Sequence, residues 1–264
     1  EAEKTNTNSF QQLDFDLFPE GESDTGWIFS DFNKDGKKEI LATSPSTPEL
    51  YFMLKSDDNS FGGFKRYPTL TGISSLSPFQ IGPNLNTGLL ILSKSEEIIG
   101  LSKYDINKGF SFPKPLPLSF EPILSNSGDL NNDQVDEAFI IIEDDSDYIL
   151  QIWSLKNGKT FQLSQEIKLN EWRREPSGII PCYLNHDDFL DLVLISSREP
   201  AYLFLNDGKG KLDEIGEDSV LRKSFLREKK LSEIGFGGVE NIGSPSLLVA
   251  AQGMVRALKW EDND

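Results

Sequence analysis

The sequence predicts an all-β protein, a β-propeller of four-stranded antiparallel blades. An acidic motif of the form D-x-N-x-D-x-x-x-[DE] recurs along the chain, and short apolar runs follow its copies. The copies are roughly 50 residues apart, which is the length of one propeller blade. Sheets that are arranged radially bury both faces against their neighbours, and this arrangement suits the apolar strands.

Five copies of the motif mark the positions of the predicted blades. Three copies, which begin at residues 31, 129 and 183, align without gaps, and two weaker copies begin at residues 84 and 239. The starts are 53, 45, 54 and 56 residues apart. Apolar runs follow at residues 40–43, 89–92, 138–142, 192–195 and 247–250. Each copy therefore predicts a loop that leads into a strand.

A predicted hairpin completes each unit. Residues 202–212 hold a strand, an Asn-Asp-Gly turn and a second strand, and residues 50–64 and 148–161 repeat this pattern. Each unit thus predicts one strand before the motif, one after it, and a hairpin. Helical periodicity is clear at residues 221–231, where we expect one short helix that carries a basic segment from Arg222 to Lys230.

The two ends of the chain predict how the ring closes. The last unit ends after one arm of its hairpin, and residues 8–18 resemble the missing strand. We expect a single domain, residues 1–264, with five blades closed by this N-terminal strand; the alternative is a fragment of a six- or seven-bladed propeller. The predicted blades span residues 26–76, 77–121, 122–176, 177–231, and 232–264 together with 8–18.

The first two complete copies have the ligand chemistry of a calcium loop. A hard cation takes several oxygen ligands, which positions one, three, five and nine of a tight loop, with the carbonyl of position seven, can supply. Oxygen-only ligation favours Ca²⁺ over Zn²⁺, and we predict about two bound ions. The predicted ligands are Asp31, Asn33, Asp35, the Lys37 carbonyl and Glu39 in the first loop, and Asp129, Asn131, Asp133, the Val135 carbonyl and Glu137 in the second.

The other copies depart from the motif. Tyr183 replaces the first aspartate of the third copy, which leaves Asn185, Asp187 and Asp191 as a weaker candidate site. In the copy that begins at residue 129, Gln134 stands at the position where the copy at residue 31 has Gly36. The copies at residues 84 and 239 lack the acidic positions, and we expect them to be metal-free. An acidic β-turn without metal is the alternative for the two complete loops.

These loops, each followed by a β-strand, resemble the FG-GAP and VCBS repeats, the calcium-loop blades also seen in the head of integrin α-subunits. The turn at residues 206–212 is similar to the second half of the VCBS pattern. The resemblance covers about five units and implies an extracytoplasmic, calcium-stabilised scaffold whose loops brace the blades. An EF-hand shares the start of the motif, but it needs flanking helices and a glutamate at position twelve.

Composition narrows the possible partners and activities. The net charge of −17 argues against binding of nucleic acid or an anionic membrane surface, and no apolar stretch is long enough for membrane insertion. The single cysteine, Cys182, lies in an apolar run, where we expect a buried thiol. The single histidine, His186, leaves no histidine-based triad or zinc site, and we predict a protein that is not an enzyme.

Partner binding is expected on the rim opposite the calcium loops. That rim carries the connections from second to third and from fourth to first strands, and its candidate contact residues are Trp172, Arg173, Arg174 and Arg198. The alternative is a tryptophan packed under its loop with two solvated arginines. We predict a protein–protein interaction or scaffold module, or a subunit of a larger complex. A carbohydrate-binding or carbohydrate-cleaving propeller is the alternative, disfavoured because Trp172 has no counterpart in the other units.

Overall fold

The structure is a computed structural model, and it describes most of the chain outside the two ends. The described residues are 27–44, 47–55, 62–83, 87–185, 187–196, 198–215, 226, 233–238, 245–251 and 253–258. The predicted closing strand at residues 8–18 and all of the predicted helix at 221–231 except Leu226 lie outside these ranges. Within the described part, no helix has the length and apolar character needed to cross a membrane.

The strands form five small antiparallel sheets that follow one another along the chain. The first contains β1 (Trp27–Ser30), β2 (Glu39–Ser44), β3 (Thr47–Met53) and β4 (Lys65–Pro68). The second contains β5 (Ile73–Phe79), β6 (Gly88–Ser93), β7 (Ile98–Ser102) and β10 (Lys114–Pro115), with a separate hairpin of β8 (Tyr104–Asp105) and β9 (Gly109–Phe110). The third contains β11 (Glu121–Gly128), β12 (Glu137–Asp144), β13 (Asp147–Lys156) and β14 (Thr160–Lys168). The fourth contains β15 (Pro176–Cys182), β16 (Asp191–Ser196), β17 (Tyr202–Asn206) and β18 (Leu212–Glu214), and the fifth β19 (Ile234–Gly238), β20 (Pro245–Ala251) and β21 (Met254–Leu258).

These sheets are arranged as a five-bladed β-propeller, so the predicted fold class is confirmed. The order of one strand before the motif, one after it and a hairpin holds in the first, third and fourth sheets. The fifth sheet has three strands among the described residues, and closure by the N-terminal strand stays a prediction.

Three of the predicted blades begin after the first residue of the corresponding sheet. β5 begins at Ile73, β11 at Glu121 and β15 at Pro176, whereas the predicted units begin at residues 77, 122 and 177. The largest difference is at β5, because its serine-rich sequence lacks the apolar run by which the strands after the motif are recognised. Residues 73–76 therefore belong to the second blade rather than the first.

The hydrophobic core lies in layers between neighbouring blades. Ile28, Leu41 and Leu50 of the first blade form one buried cluster with Leu89 and Ile91 of the second. Further clusters join the second blade to the third, the third to the fourth, and the fourth to the fifth. In the second, third and fourth blades the strand after the motif is buried on both faces, so its sequence is a continuous apolar run rather than an alternating one.

The innermost strands of neighbouring blades contact one another and are joined by polar side chains. β5 contacts β11, and β11 contacts β15. Ser75 Oγ donates to the Ser125 carbonyl at 2.9 Å, and Asn126 Nδ2 donates to the Ile179 carbonyl at 2.9 Å. Short polar side chains allow the backbones to approach while satisfying carbonyl groups that point between blades.

The β8–β9 hairpin is an insertion that the repeat pattern does not predict. It extends the second blade and packs against the outer part of the first. Phe110 makes edge-to-face contacts with Phe32 and Phe52, at ring centroid distances of 5.3 and 5.2 Å. These aromatic contacts join the first and second blades at the side that carries the first loop.

Candidate metal loops

The three copies of the motif that align without gaps lie at the same end of their sheets, which we call the loop rim. The first loop (residues 31–39) joins β1 to β2, the second (129–137) joins β11 to β12, and the third (183–191) joins β15 to β16. Gly36 has a φ of 85°, and Gln134 has a φ of 66° at the matching position. The second loop therefore keeps the turn of the first, at a cost of roughly 1 kcal/mol for a left-handed residue with a Cβ.

The first aspartate of each complete loop accepts hydrogen bonds from the turn that follows it. Asp31 accepts from the backbone N–H groups of Asp35 (3.1 Å) and Gly36 (2.9 Å). Asp129 accepts in the same way from Asp133 (3.2 Å) and Gln134 (2.8 Å). The sequence folds into these turns because short acidic side chains can satisfy backbone donors within the same loop.

The middle positions repeat this local bonding. Asn33 Oδ1 accepts from the Asp35 N–H at 2.9 Å, and Asp35 Oδ1 accepts from the Lys37 N–H at 2.8 Å. The second loop has the equivalent bonds from Asp133 to Asn131 and from Val135 to Asp133. The predicted ligands at positions one to seven of each of these two loops are thus neighbours in one tight turn.

The ninth residue of each loop ties the following strand to the start of the loop. Glu39 Oε2 accepts from the Phe32 N–H at 2.9 Å, and Glu137 Oε2 accepts from the Leu130 N–H at 3.0 Å. In the third loop, Asp191 Oδ2 accepts from the Leu184 N–H at 2.8 Å. One carboxylate oxygen is used in this way in all three loops, and the loops differ in what the other oxygen does.

In the first loop, the second oxygen of Glu39 has no partner. Glu39 is 0% exposed, and its Oε1 is buried without a hydrogen-bond donor. Carboxylate oxygens of Asp31, Asp35 and Glu39 all lie within 4.8 Å of one another. Burial raises the pKa of Glu39 to about 7, with the charges of Asp35 and Asp31 adding to the effect. This donor set fits a hard cation, which would satisfy the unpaired oxygen and offset the repulsion.

In the second loop, the matching oxygen is already bonded. Glu137 Oε1 accepts from Asn131 Nδ2 at 3.0 Å and from Ser154 Oγ at 3.3 Å. Burial raises the pKa of Glu137 to about 7, and Asp133 and Asp129 raise it further. The predicted ligands are present, but the amide of Asn131 turns toward Glu137 and is satisfied without an ion.

In the third loop, both oxygens of the ninth residue accept from the backbone. Asp191 Oδ1 accepts from the Asn206 N–H at 2.8 Å, in addition to the bond from Leu184. Asn185 Nδ2 donates to Asp187 Oδ2 at 2.7 Å, and Tyr183 contributes no carboxylate. The protein itself satisfies the groups that the motif would offer to a metal, while His186 lies outside the described residues.

The first loop is also bonded to the next blade. Lys34 Nζ donates to the Gly82 carbonyl at 2.9 Å, and Thr87 Oγ1 donates to the Asp31 carbonyl at 3.1 Å. Both partners lie in the connection between β5 and β6. The first loop thus fixes the first blade against the second.

The second loop contacts the blades on both sides. Asp136 exchanges hydrogen bonds with Gln80, its N–H donating to the carbonyl at 2.8 Å and its carboxylate accepting from the Gln80 N–H at 2.7 Å. Asn206 Nδ2 of the fourth blade donates to the Leu130 carbonyl at 2.7 Å. The motif leaves position eight unspecified, so nothing in the sequence pattern indicated the role of Asp136.

The predicted partner-binding residues lie at the end of the sheets opposite the loop rim, and they divide into buried and exposed groups. Trp172 is fully buried, its Nε1 donates to the Pro200 carbonyl at 2.8 Å, and its ring meets Tyr202 edge-on at 5.2 Å. Trp172 is therefore packed under its loop, as in the alternative given above, and its indole is not accessible to a partner. Arg173, Arg174 and Arg198 are exposed, and the Arg173 side chain donates to the Trp172 carbonyl at 3.1 Å.

Comparison of the sequence with protein-family models and with curated proteins finds no match. Among solved structures, a chain of the Photorhabdus luminescens Tc holotoxin pore is 16% identical, with a TM-score of 0.45; the likeness covers 91% of this chain and 11% of that one. AofleA from Arthrobotrys oligospora is 9% identical, with a TM-score of 0.46, over 85% of this chain and 69% of its own. Both TM-scores are below 0.5, and neither likeness indicates what this chain does.

Proposed function

We propose that the protein is a non-catalytic, calcium-stabilised β-propeller of the FG-GAP and VCBS type, which acts outside the cytoplasm as a scaffold or protein-interaction module. The observation that carries the calcium part is the buried, unpartnered Oε1 of Glu39 beside Asp31 and Asp35. A buried acceptor without a donor costs roughly 1–3 kcal/mol, and more when it is charged. An ion at this point removes that cost.

The ion is held by Asp31, Asn33, Asp35, the Lys37 carbonyl and Glu39. Bound Ca²⁺ supplies positive charge and fixes the turn. Through the bonds from Lys34 and Thr87 to the neighbouring connection, a fixed first loop holds the first two blades in register. The role proposed for calcium is therefore to brace the blades, with no part in a reaction.

The second loop binds a second ion more weakly. Glu137 Oε1 must first give up its bonds from Asn131 and Ser154 before it can bind a cation. Because protein hydrogen bonds are lost when the metal bonds form, the net free energy of ion binding is smaller at this loop. A weak second site suits the millimolar calcium found outside cells, which supports an extracytoplasmic location.

The opposite rim is the proposed surface for a protein partner. Arg173, Arg174 and Arg198 lie there on loops of the third and fourth blades and are exposed. Arginine is enriched at interfaces because its planar group forms several hydrogen bonds at once. Burial of Trp172 removes its side chain as a contact for a partner, which leaves the three arginines as the candidate contacts on this rim.

Native mass spectrometry with and without a chelator tests the calcium proposal. We expect two ions on the protein in calcium and none after chelation, with the second ion lost first as calcium is lowered. Asp35→Asn should remove one ion, and the matched change in the third loop, Asp187→Asn, should remove none. A protein that carries no ion in millimolar calcium would exclude the proposal.

A further inference from the structure

A pocket between the second and third blades combines positive charge with an apolar floor. We call it the lysine pocket. Its volume is about 390 Å³, and its lining includes Lys103, Lys114 and Lys159. Leu101, Phe161, Pro115 and Pro117 supply its apolar lining, of which we call Leu101 and Phe161 the floor. A volume of this size is in the range of small-molecule sites, which are roughly 300–1,000 Å³.

The floor of the lysine pocket is fixed by the core. Leu101 is buried in the layer between the two blades, and Phe161 packs against the same layer. The ring of Phe161 meets Phe79 edge-on at 5.7 Å. An apolar ligand face would thus meet a surface that needs no rearrangement.

The position of Lys103 is set by a turn of the neighbouring blade. Its Nζ donates to the Gly158 carbonyl at 2.5 Å, across the gap between the two sheets. Asn157 and Gly158 both have positive φ, 52° and 61°, as an Asn-Gly hairpin turn allows. An ammonium group has three donors, so Lys103 keeps two for a ligand.

Among the described residues, no salt bridge joins a lysine of the lysine pocket to a carboxylate. The salt bridges Arg66–Glu49, Lys94–Glu175 and Lys211–Asp213 do not involve the three lysines of the pocket. Burial and the charges of Lys114 and Lys159 lower the pKa of Lys103. In a protein with a net charge of −17, three lysines that line one pocket form a local site for an anion.

We propose that the lysine pocket binds a small apolar organic anion, with its anionic group among the three lysines and its flat apolar part on the pocket floor. A polyanion is disfavoured, since the rest of this acidic surface would repel it. The pocket lies at the loop rim, because the turn at residues 157–159 and the second loop lie at the same end of the third sheet. This inference goes beyond the proposed function and does not depend on calcium.

A titration with 2-naphthoate, followed by amide NMR in saturating calcium, tests the proposal. For a ligand of this size we expect saturable binding with a Kd of roughly 1 mM or tighter. The shifts should centre on residues 101–103, 114 and 158–161. The neutral analogue 2-naphthamide and the small anion acetate should each bind much more weakly, because each lacks one of the two features.

Variants then assign the binding to the lysines. Lys103→Gln and Lys159→Gln should each weaken naphthoate binding by about twofold to fivefold, as expected for loss of one close charge. Lys168→Gln is the matched control, because Lys168 is at the other end of β14, roughly 25 Å from the turn, and it should leave binding unchanged. Equal binding of naphthamide, no saturable binding, or unchanged binding in both pocket variants would overturn the proposal.

Discussion

The first and second loops have the same residues at motif positions one, three, five and nine and form the same turn, yet they differ at one oxygen. Glu39 and Glu137 each accept a backbone N–H through Oε2. Oε1 of Glu39 has no donor, whereas Oε1 of Glu137 accepts from Asn131 and Ser154. The acidic motif therefore builds the turn, but it does not decide whether the turn is complete without an ion.

The neighbouring strand accounts for part of this difference. Ser154 of β13 lies directly opposite Glu137 and presents a hydroxyl to it. In the first blade, Ile40 lies opposite Met53, and continuing that register by one residue places Leu54 opposite Glu39. Leucine has no donor. The other part lies within the motif, because Asn131 Nδ2 donates to Glu137 whereas Asn33 Nδ2 donates to Asp35.

The largest expected effect comes from Glu39→Gln. A ligand at 100 times its Kd stabilises the folded state by about 2.7 kcal/mol, which for a chain of this size is about 5 °C or more in Tm. We expect most of the calcium-dependent rise in Tm of the wild-type protein to be lost in this variant. Thermal unfolding with calcium and with chelator measures the difference.

The same experiment separates a ligand from a structural residue. Without calcium, Glu39→Gln should be at least as stable as the wild-type protein, because it removes a negative charge beside Asp31 and Asp35. A variant that is destabilised equally in calcium and in chelator would show that Glu39 acts through packing alone. The third-loop change Asp187→Asn is the matched control and should keep the calcium response.

Asp191→Asn in the third loop should destabilise the protein whether or not calcium is present. Asp191 accepts two backbone N–H groups, and an asparagine presents an NH₂ group to one of these donors. Leaving a buried donor unpaired costs about 1–3 kcal/mol. Urea unfolding in calcium and in chelator should give the same loss. A loss confined to calcium would instead identify the third loop as a metal site.

Reciprocal changes at Ser154 and Leu54 test the cause of the difference between the loops. Ser154→Ala removes a donor from Glu137 and should tighten the weaker calcium site by roughly twofold to tenfold, the range expected for one hydrogen bond. Leu54→Thr brings a hydroxyl near Glu39 and should weaken the tighter site by a similar factor. Calorimetric titration measures both affinities. Changes in the opposite direction would refute the explanation based on the opposing strand.

The smallest effects are expected at the matching turn positions. Gly36 has a φ of 85°, and no atom lies within 4 Å of the point that a Cβ would occupy, so Gly36→Ala should cost about 1 kcal/mol through backbone strain alone. Gln134→Gly, at a φ of 66°, should stabilise the protein by up to about 1 kcal/mol. Denaturant unfolding in chelator measures both, and equal signs for the two changes would contradict this reading of the turns.

Much of the fold could be predicted because the repeated features are local. The acidic turn, the apolar strand after it and the Asn-Gly or Asp-Gly hairpin each depend on residues close together in the chain. The serine-rich β5 and the β8–β9 hairpin were not placed correctly. Their side chains contact neighbouring blades, as Ser75 contacts Ser125 and Phe110 contacts Phe52, and these partners are distant in the sequence.

In the candidate site, too, the local features could be predicted from the sequence and the contacts between strands or blades could not. The positions of Asp31, Asp35 and Glu39 follow from the motif, and the structure brings their oxygens together. The state of Glu39 Oε1, the bonds of Asp136 to Gln80 and the burial of Trp172 all depend on residues from other strands or blades. Sequence spacing predicts which groups share a turn, but not which of them the rest of the protein satisfies.

A crystal structure of the protein grown in millimolar calcium tests the central claim most directly. The account predicts an ion in the first loop, bound by Asp31, Asp35 and Glu39, with Glu39 Oε1 at about 2.3–2.6 Å from it. It also predicts lower occupancy in the second loop and none in the third. A first loop without an ion, or an ion that does not contact Glu39 Oε1, would contradict the account.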